Sequence, residues 1–269
     1  MKVRFFKYRG SKLHIVNIFN ELIKDTDKKI YVEPFIGSGA IFVNVVDNFD
    51  LYIINDIDEN VIYIWKSVLD FSYKDFVDVK NYIYDKFGDI KTNKESYYNF
   101  RNSYNDNLHF TNKKEKGLFL YFLANSCINS LLRFSEMGMN QSFGNRLYFL
   151  KELDYNIIKN KLRKSQIKNV DYKEIIDNFK DCVMYLDPPY SNTDVSYKQE
   201  FKNNDQQILI DKIIKLSKHN KIFYSDLENE ISNRLLENNF KNVKTKDIIN
   251  ISPNRKNNNV RNEVLYYNV

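Results

Sequence analysis

Cysteine is nearly missing: the 269-residue chain holds two, Cys127 and Cys182. Two thiols cannot build a disulfide framework, and neither a CxxC pair nor a histidine cluster offers a structural zinc site. The three histidines, His14, His109 and His219, lie far apart and fit no ligand spacing. No metal is therefore expected, and each histidine reads as a surface or capping residue. No apolar run approaches the ~20 residues of a membrane-spanning helix. The opening Met1-Lys2-Val3-Arg4-Phe5-Phe6-Lys7 is charged where a signal peptide would be apolar. The expectation is a reduced, cytoplasmic protein without membrane attachment. Glycine and proline are scarce, at seven and four residues, so the places where they pair stand out: Gly37-Ser38-Gly39 and Pro188-Pro189.

With 43% hydrophobic and 28% charged residues the composition is globular, and the length suits one large domain or a core carrying an insert. The net charge of +6 is unevenly spread. Residues 1–90 hold 12 basic and 14 acidic groups, whereas 91–170 hold 14 basic and 6 acidic. A basic block of that size reads as a polyanion-binding surface. The bland alternative is a solvated lysine-rich face in a chain biased toward Lys, Asn, Tyr and Ile.

Pattern places the elements. Apolar residues at helical spacing (Leu13, Val16, Phe19, Leu22, Ile23) predict a helix over 13–23. Ile30-Tyr31-Val32-Glu33 predicts a strand ending at Pro34, and Phe35-Ile36-Gly37-Ser38-Gly39 a flexible turn. An amphipathic helix is expected over 40–46, then a strand at Leu51-Tyr52-Ile53-Ile54 ending at Asn55-Asp56. This is a βαβ unit with a glycine turn at its first strand-to-helix junction. Val183-Met184-Tyr185-Leu186 reads as a buried strand, followed by a helix over 206–217, a strand at 221–224, a helix over 229–236 and strands near 243–249 and 264–267. The tract Asn257-Asn258-Asn259 suits the loop of a terminal hairpin. Asp187 lies 131 residues beyond Asp56, further than short α/β connections need. Residues 60–165 therefore read as a helical domain inserted into an α/β core.

Chemistry concentrates in Asp187-Pro188-Pro189-Tyr190, directly after an apolar strand. Open α/β sheets bind ligands at the carboxyl ends of their strands. Two prolines force a rigid extended turn, so the Asp187 carboxylate and the Pro188 carbonyl can face a cleft as two acceptors beside the Tyr190 ring. That set suits a planar base with an exocyclic amine, whose lone pair is freed when both N–H bonds are held. Alternatively the segment is only a proline-rich turn capped by a tyrosine. The glycine turn lets backbone approach a ligand closely, although it lacks the third glycine of GxGxxG and alone could be a plain turn. Asp56, 19 residues beyond Gly37, can accept from ribose hydroxyls, or else cap a helix.

Lys7-Tyr8-Arg9-Gly10-Ser11-Lys12, Glu33-Pro34-Phe35-Ile36-Gly37-Ser38-Gly39, Asn55-Asp56-Ile57-Asp58 and Asp187-Pro188-Pro189-Tyr190, in that order, resemble the Dam-type (D12 class) adenine-specific DNA methyltransferases. Arg261-Asn262-Glu263-Val264-Leu265 resembles the family's closing strand, so the likeness spans nearly the whole chain. The resemblance implies a Rossmann-like α/β sheet that binds S-adenosylmethionine, formed by 1–60 and 165–269, with a mostly helical target-recognition domain inserted at 61–164. It implies transfer of a methyl group to N6 of an adenine flipped out of double-stranded DNA. By the same resemblance Tyr8, Lys12, Phe35, Gly37, Gly39, Asp56 and Asp187 hold the cofactor, with Asp171-Tyr172 beside its adenine. Asp187, Pro188, Pro189 and Tyr190 form the catalytic motif. Asn129-Ser130-Leu131-Leu132-Arg133-Phe134 and Gly138-Met139-Asn140-Gln141-Ser142-Phe143-Gly144 resemble the family's recognition hairpin. There Leu131 and Arg133 would reach base edges, and Asn140, Ser142 and Arg146 would complete the DNA contact.

Two departures stand out: Ser130 replaces a glycine, and Ser142 replaces a proline of relatives that read GATC, which leaves the recognition sequence open. Arg133 could equally hold a phosphate, since most protein–DNA hydrogen bonds go to the backbone. The expected enzyme is monomeric, with or without an unlinked cognate endonuclease. Two rivals remain at this point: an N4-cytosine or RNA methyltransferase with a similar acceptor pair, and a DNA-binding regulator without turnover.

Overall fold

The structure, a computed structural model, describes residues 2–8, 10–46, 48–106, 113–130, 132–190, 201–249 and 260–268. A 3₁₀ turn at Leu13–Ile15 leads into α1 (Val16–Ile23), followed by β1 (Ile30–Glu33) and β2 (Leu51–Asn55). Four helices come next: α2 (Glu59–Asp70), α3 (Tyr73–Phe87), α4 (Lys94–Asp106) and α5 (Lys113–Ser126). A small hairpin, β3 (Phe134–Ser135) and β4 (Gly138–Met139), precedes α6 (Glu152–Arg163), β5 (Ser165–Lys168), α7 (Tyr172–Ile176) and β6 (Cys182–Leu186). The chain continues through α8 (Asn203–Leu216), β7 (Lys221–Leu227), α9 (Glu230–Asn233), β8 (Lys241–Ile249) and β9 (Val260–Tyr267).

Seven strands form one sheet in the order β5-β2-β1-β6-β7-β9-β8. Pairing is parallel from β5 through β7, and β9 is antiparallel to both β7 and β8. This is the mostly parallel, Rossmann-like sheet that the family resemblance implied. Its central strands β1, β2, β6 and β7 are largely apolar and buried because helices cover both faces, whereas the edge strands β5 and β8 are polar. Side chains alternate between two cores: Tyr31, Tyr52, Val183, Tyr185 and Phe223 pack with Phe19 and Trp65, whereas Val32, Ile53, Met184, Ile222 and Tyr224 pack with Leu209, Ile210 and Ile213 of α8. The first core runs on without a break through Phe76, Tyr97, Phe100, Tyr121 and Tyr155 of the helical segment.

Local chemistry sets the helix ends. Asp58 caps α2 by accepting from the Asn60 N–H, and Ser72 with Asp75 forms a capping box on α3. Gly117 lets α5 lie against α2, because a Cβ there would stand 2.0 Å from the Tyr63 carbonyl oxygen. The expected helix over 229–236 is shorter, with α9 ending at Asn233 and a 3₁₀ turn at Leu236–Asn238. The asparagine tract 257–259 lies outside the described residues, while the flanking strands β8 and β9 pair antiparallel.

One expectation fails. Residues 40–46 form hydrogen-bonded turns instead of an α-helix. Side chains take the carbonyls that a helix would use. Asn44 Nδ2 donates to Ala40 O at 2.9 Å, so the Asn44 N–H turns to Ile41 O at 3.0 Å. From α6, the buried Lys161 ammonium donates to Phe42 O and Val45 O at 3.0 and 2.7 Å. Asn44 also exchanges two bonds with the Val3 backbone, at 2.7 and 2.8 Å, tying the N-terminal segment to the turn after the glycines. Asn44→Ala would improve helix propensity, yet it removes three hydrogen bonds. We expect a loss of about 3 kcal/mol at roughly 1 kcal/mol per bond, seen as a lower urea midpoint with an unchanged m-value.

Candidate active site

Strands β1 and β6 are neighbours, and the chain leaves them toward opposite sides of the sheet. The crevice beyond their carboxyl ends is where an open α/β sheet takes a ligand. On the β1 side three loops are stitched together by Asn55. Its Nδ2 donates to Pro34 O and Val170 O, each at 3.0 Å, and its Oδ1 accepts the Val170 N–H. The next residue, Asp56, accepts from Gly37 N at 2.9 Å and from Asp58 N at 2.9 Å. Asp58, and not Asp56, caps α2, so Asp56 instead holds the glycine loop. Burial pushes its carboxyl up to about 7, against the hydrogen bonds from Asp58 and Gly37.

Both glycines have left-handed backbones, φ +44° at Gly37 and +61° at Gly39. A Cβ on Gly39 would come within 2.4 Å of the Trp65 ring, whose Nε1 donates to Gly37 O at 2.9 Å. The Tyr8 ring lies beside Gly37. Phe35 packs on Tyr172 with centroids 5.1 Å apart, and Asp171 caps α7. Among the described residues the Tyr172 hydroxyl is buried without a hydrogen-bond partner.

On the β6 side, Asp187 follows the last strand residue, and Lys12 Nζ meets its Oδ2 at 2.8 Å. The same ammonium reaches Glu263 Oε1 at 3.2 Å and Gly10 O at 2.9 Å. The Tyr190 hydroxyl donates to Glu263 Oε1 at 2.6 Å, and Lys12 Nζ lies 5.1 Å from the Tyr190 ring centroid. His14, exposed at the surface as expected, also places its Nε2 3.0 Å from Glu263 Oε2. Burial drives the Asp187 carboxyl up to about 6, only partly opposed by Lys12. Burial also works against the Glu263 carboxylate, but His14, Lys12 and the Tyr190 hydroxyl outweigh it and hold it at about 2. For Lys12 burial is outweighed by Asp187 and Glu263, so its ammonium is held above the ordinary lysine range. Glu33, at the end of β1, is buried with the Tyr31 hydroxyl on its Oε2 and is shifted well upward by that burial.

Most expected site residues thus converge on one crevice: Tyr8, Lys12, Phe35, Gly37, Gly39, Asp56, Asp187 and Tyr190, with Pro188 and Pro189 forming the turn between the last two. The expected recognition residues gather elsewhere, on the hairpin. Arg133 Nε donates to Asn140 Oδ1 at 2.8 Å, holding an exposed guanidinium on the hairpin surface. Asn105 of α4 pins the hairpin through both polar atoms of the Met139 backbone, at 2.9 Å each. Ser142 has an exposed side chain and a carbonyl that accepts from Ile128 N. Arg146 Nη2 donates to Cys127 O and Ser130 Oγ at 3.3 and 3.1 Å. Leu131 lies outside the described residues. The basic block is only partly a surface: Lys161, Lys159 and Arg101 donate to backbone carbonyls, whereas Lys91, Lys94, Lys151, Arg163, Lys164 and Lys168 are exposed.

The residues missed from sequence are Glu263, His14 and Trp65. Glu263 did carry a signal, since it shares strand parity with the buried Leu265 and so points inward. Nothing local marks His14 or Trp65.

Comparison with known proteins agrees with this geometry. A relative from Methanocaldococcus jannaschii, "Type II methyltransferase M.MjaIII", is 29% identical over 258 residues, covering 88% of this chain and 84% of the relative. A "DNA adenine methylase" of Haemophilus influenzae is 26% identical over 268 residues, covering 94% of this chain and 89% of the relative. The family description "D12 class N6 adenine-specific DNA methyltransferase" matches residues 8–267. With the match running from the Tyr8 segment to the end of the closing strand, the chain belongs to the D12 class N6 adenine-specific DNA methyltransferases.

Proposed function

We propose that the crevice between the glycine loop and Asp187 is the site where this methyltransferase joins S-adenosylmethionine to a single flipped adenine. One observation carries the reading: Asp187 directly follows β6, β6 pairs in parallel with β1, and the loop after β1 is the one that Asp56 holds through Gly37. The methyl donor, when bound, supplies an electrophilic methyl group on a sulfonium. The residues present fit it. Left-handed glycines expose backbone, Asp56 offers oxygens to ribose hydroxyls, and Tyr8, Phe35 and Tyr172 provide apolar walls with a buried hydroxyl still to be matched.

An amine inside the DNA stack is out of reach, so the adenine must swing out of the duplex. The Tyr190 ring then stacks on it. Lys12 occupies Asp187 Oδ2, which leaves Oδ1 and the Pro188 carbonyl as the pair of acceptors for the two N6 hydrogens. Holding both hydrogens turns the nitrogen lone pair out of conjugation and toward the glycine loop. As the N–C bond forms the methyl–sulfonium bond would break, leaving a neutral thioether, and one N6 proton would go to Asp187 or to water. Positioning supplies much of the acceleration.

Residues 1–60 and 165–269 form the cofactor-binding half in this reading, and 61–164 the target-recognition insert. The seven sheet strands all fall in the former, while the insert's described residues give only helices and a two-residue-per-strand hairpin. Arg133, with Asn140, Ser142, Leu131 and Arg146, faces duplex DNA and makes methylation sequence-specific. The enzyme works as a monomer in the cytoplasm, on its own or beside a separately encoded endonuclease. Among the described residues no helix is long and apolar enough to cross a membrane.

Removing an acceptor from this site should be costly. Asp187→Ala is expected to lower single-turnover methyl transfer by ~10²–10³ while the fold, followed by circular dichroism, persists. Unimpaired transfer would refute the acceptor role.

For Asp56 the raised pKa gives a sign. Ribose hydroxyls donate to the carboxylate form, so cofactor affinity should fall as pH drops through about 7. Asp56→Asn should erase that pH dependence. It should also weaken binding by about 1.5–3 kcal/mol, roughly ten- to a hundredfold, measured by calorimetry.

Arg133 separates base reading from phosphate clamping. If its guanidinium reads a base edge, Arg133→Ala costs about 1–3 kcal/mol on the preferred site and relaxes one position. Methylation of oligonucleotides varied one base pair at a time checks this. Uniform weakening across the set would make Arg133 a backbone contact.

A further inference from the structure

The contacts of Lys12 and Tyr190 meet on a single carboxylate, Glu263, set in β9 opposite Leu227 and Lys246. Its side chain is 6% exposed, a depth at which a carboxylate persists only when its charge is matched. Oε1 receives the Tyr190 hydroxyl and the Lys12 ammonium, and Oε2 faces His14 Nε2. We propose that Glu263 is a positioning residue for methyl transfer, fixing the Tyr190 ring as the wall of the base pocket and dividing the Lys12 ammonium between itself and Asp187. The inference rests on the reading that Asp187 and Tyr190 hold the adenine.

The argument is one of degrees of freedom. A tyrosine ring turns about two bonds. Here its far end is anchored by a 2.6 Å hydrogen bond and a cation stands 5.1 Å from its centroid. Both restraints depend on Glu263, one directly and one through Lys12. The three N–H bonds of Lys12 go to Gly10 O, Asp187 Oδ2 and Glu263 Oε1. Without Glu263 the ammonium would be drawn fully to Asp187, whose lone pairs the target amine must also use. Glu263 therefore sets how strongly Asp187 is engaged before the base arrives.

The charged and titratable groups facing Asp187 are Lys12 and His14 from the N-terminal segment, Glu33 from β1, Glu263 from β9, and the phenols of Tyr185 and Tyr190. Removing the Glu263 charge eases ionisation of Asp187, so the acid limb of the kcat profile should move to lower pH. Glu263→Ala should lower kcat roughly ten- to a hundredfold with cofactor affinity by calorimetry close to wild type. Glu263→Gln, which keeps an acceptor without the charge, should restore part of kcat and still show the displaced acid limb. Tyr190→Phe should slow transfer alone but add little in the Glu263→Ala background, because both remove the same anchor.

Wild-type kcat and an unmoved limb in Glu263→Gln, beside a crippled Tyr190→Ala, would overturn this inference alone. If Tyr190→Ala also turned over normally, the base-pocket reading itself would fall. Losses that add fully with Tyr190→Phe and track a lowered melting temperature would reduce Glu263 to a structural acid and overturn the proposal.

Discussion

One buried ammonium joins the ends of this chain. Lys12 comes from the N-terminal segment, Asp187 from the end of the central strand, and Glu263 from the last strand. An isolated charge at that depth is strongly disfavoured, and two carboxylates alone would repel each other. The three groups are stable only together. Their mutual need brings sequence positions separated by most of the chain to the carboxyl edge of the sheet. That edge is also where β1 and β6 diverge and leave room for a ligand.

The surplus of negative charge is what makes the cluster chemically useful. Two carboxylates share one lysine, with His14 at the outer rim. Glu263, bonded on both oxygens, is held fully ionised, and Asp187 carries the strain as a raised pKa. A carboxylate that is incompletely satisfied by the protein is a better acceptor for an incoming amine than one already saturated. The glycine-loop side repeats the pattern. Asp56 is tied to two backbone N–H groups yet remains shifted upward by burial, so it too gains from hydroxyl donors supplied by a ligand.

Strand positions were legible in the sequence because parallel strands covered on both faces read as short apolar runs, and Ile30–Glu33 matches the expected span residue for residue. Asp187 was legible because it directly follows such a run, and Asp56 because it stands one residue beyond another. The segment 40–46 was not legible. Its apolar spacing is helical, but the competing partners, Val3, Asn20 and Lys161, are remote in sequence and take its polar groups through tertiary contacts. Charge bookkeeping misled for the same reason. Lys161 counts as one cation of a basic block, yet its ammonium is spent inside the fold.

The turn before the β3–β4 hairpin shows how side chains can support a strained backbone. Asn129 and Ser130 have consecutive left-handed backbones, φ 55° and 51°. A glycine at the second position would adopt this freely, whereas a serine is disfavoured by about 1–2 kcal/mol. Arg146 answers that strain: its Nη2 bridges Ser130 Oγ and the Cys127 carbonyl across the turn. Gln141 closes the same loop by donating to Ile128 O at 3.0 Å. The turn that presents Arg133 is therefore held by side-chain hydrogen bonds around Ser130. Arg146 is committed in part to that scaffold. The guanidinium of Arg133 is oriented by Asn140 and left exposed, so the same turn leaves it available to a partner.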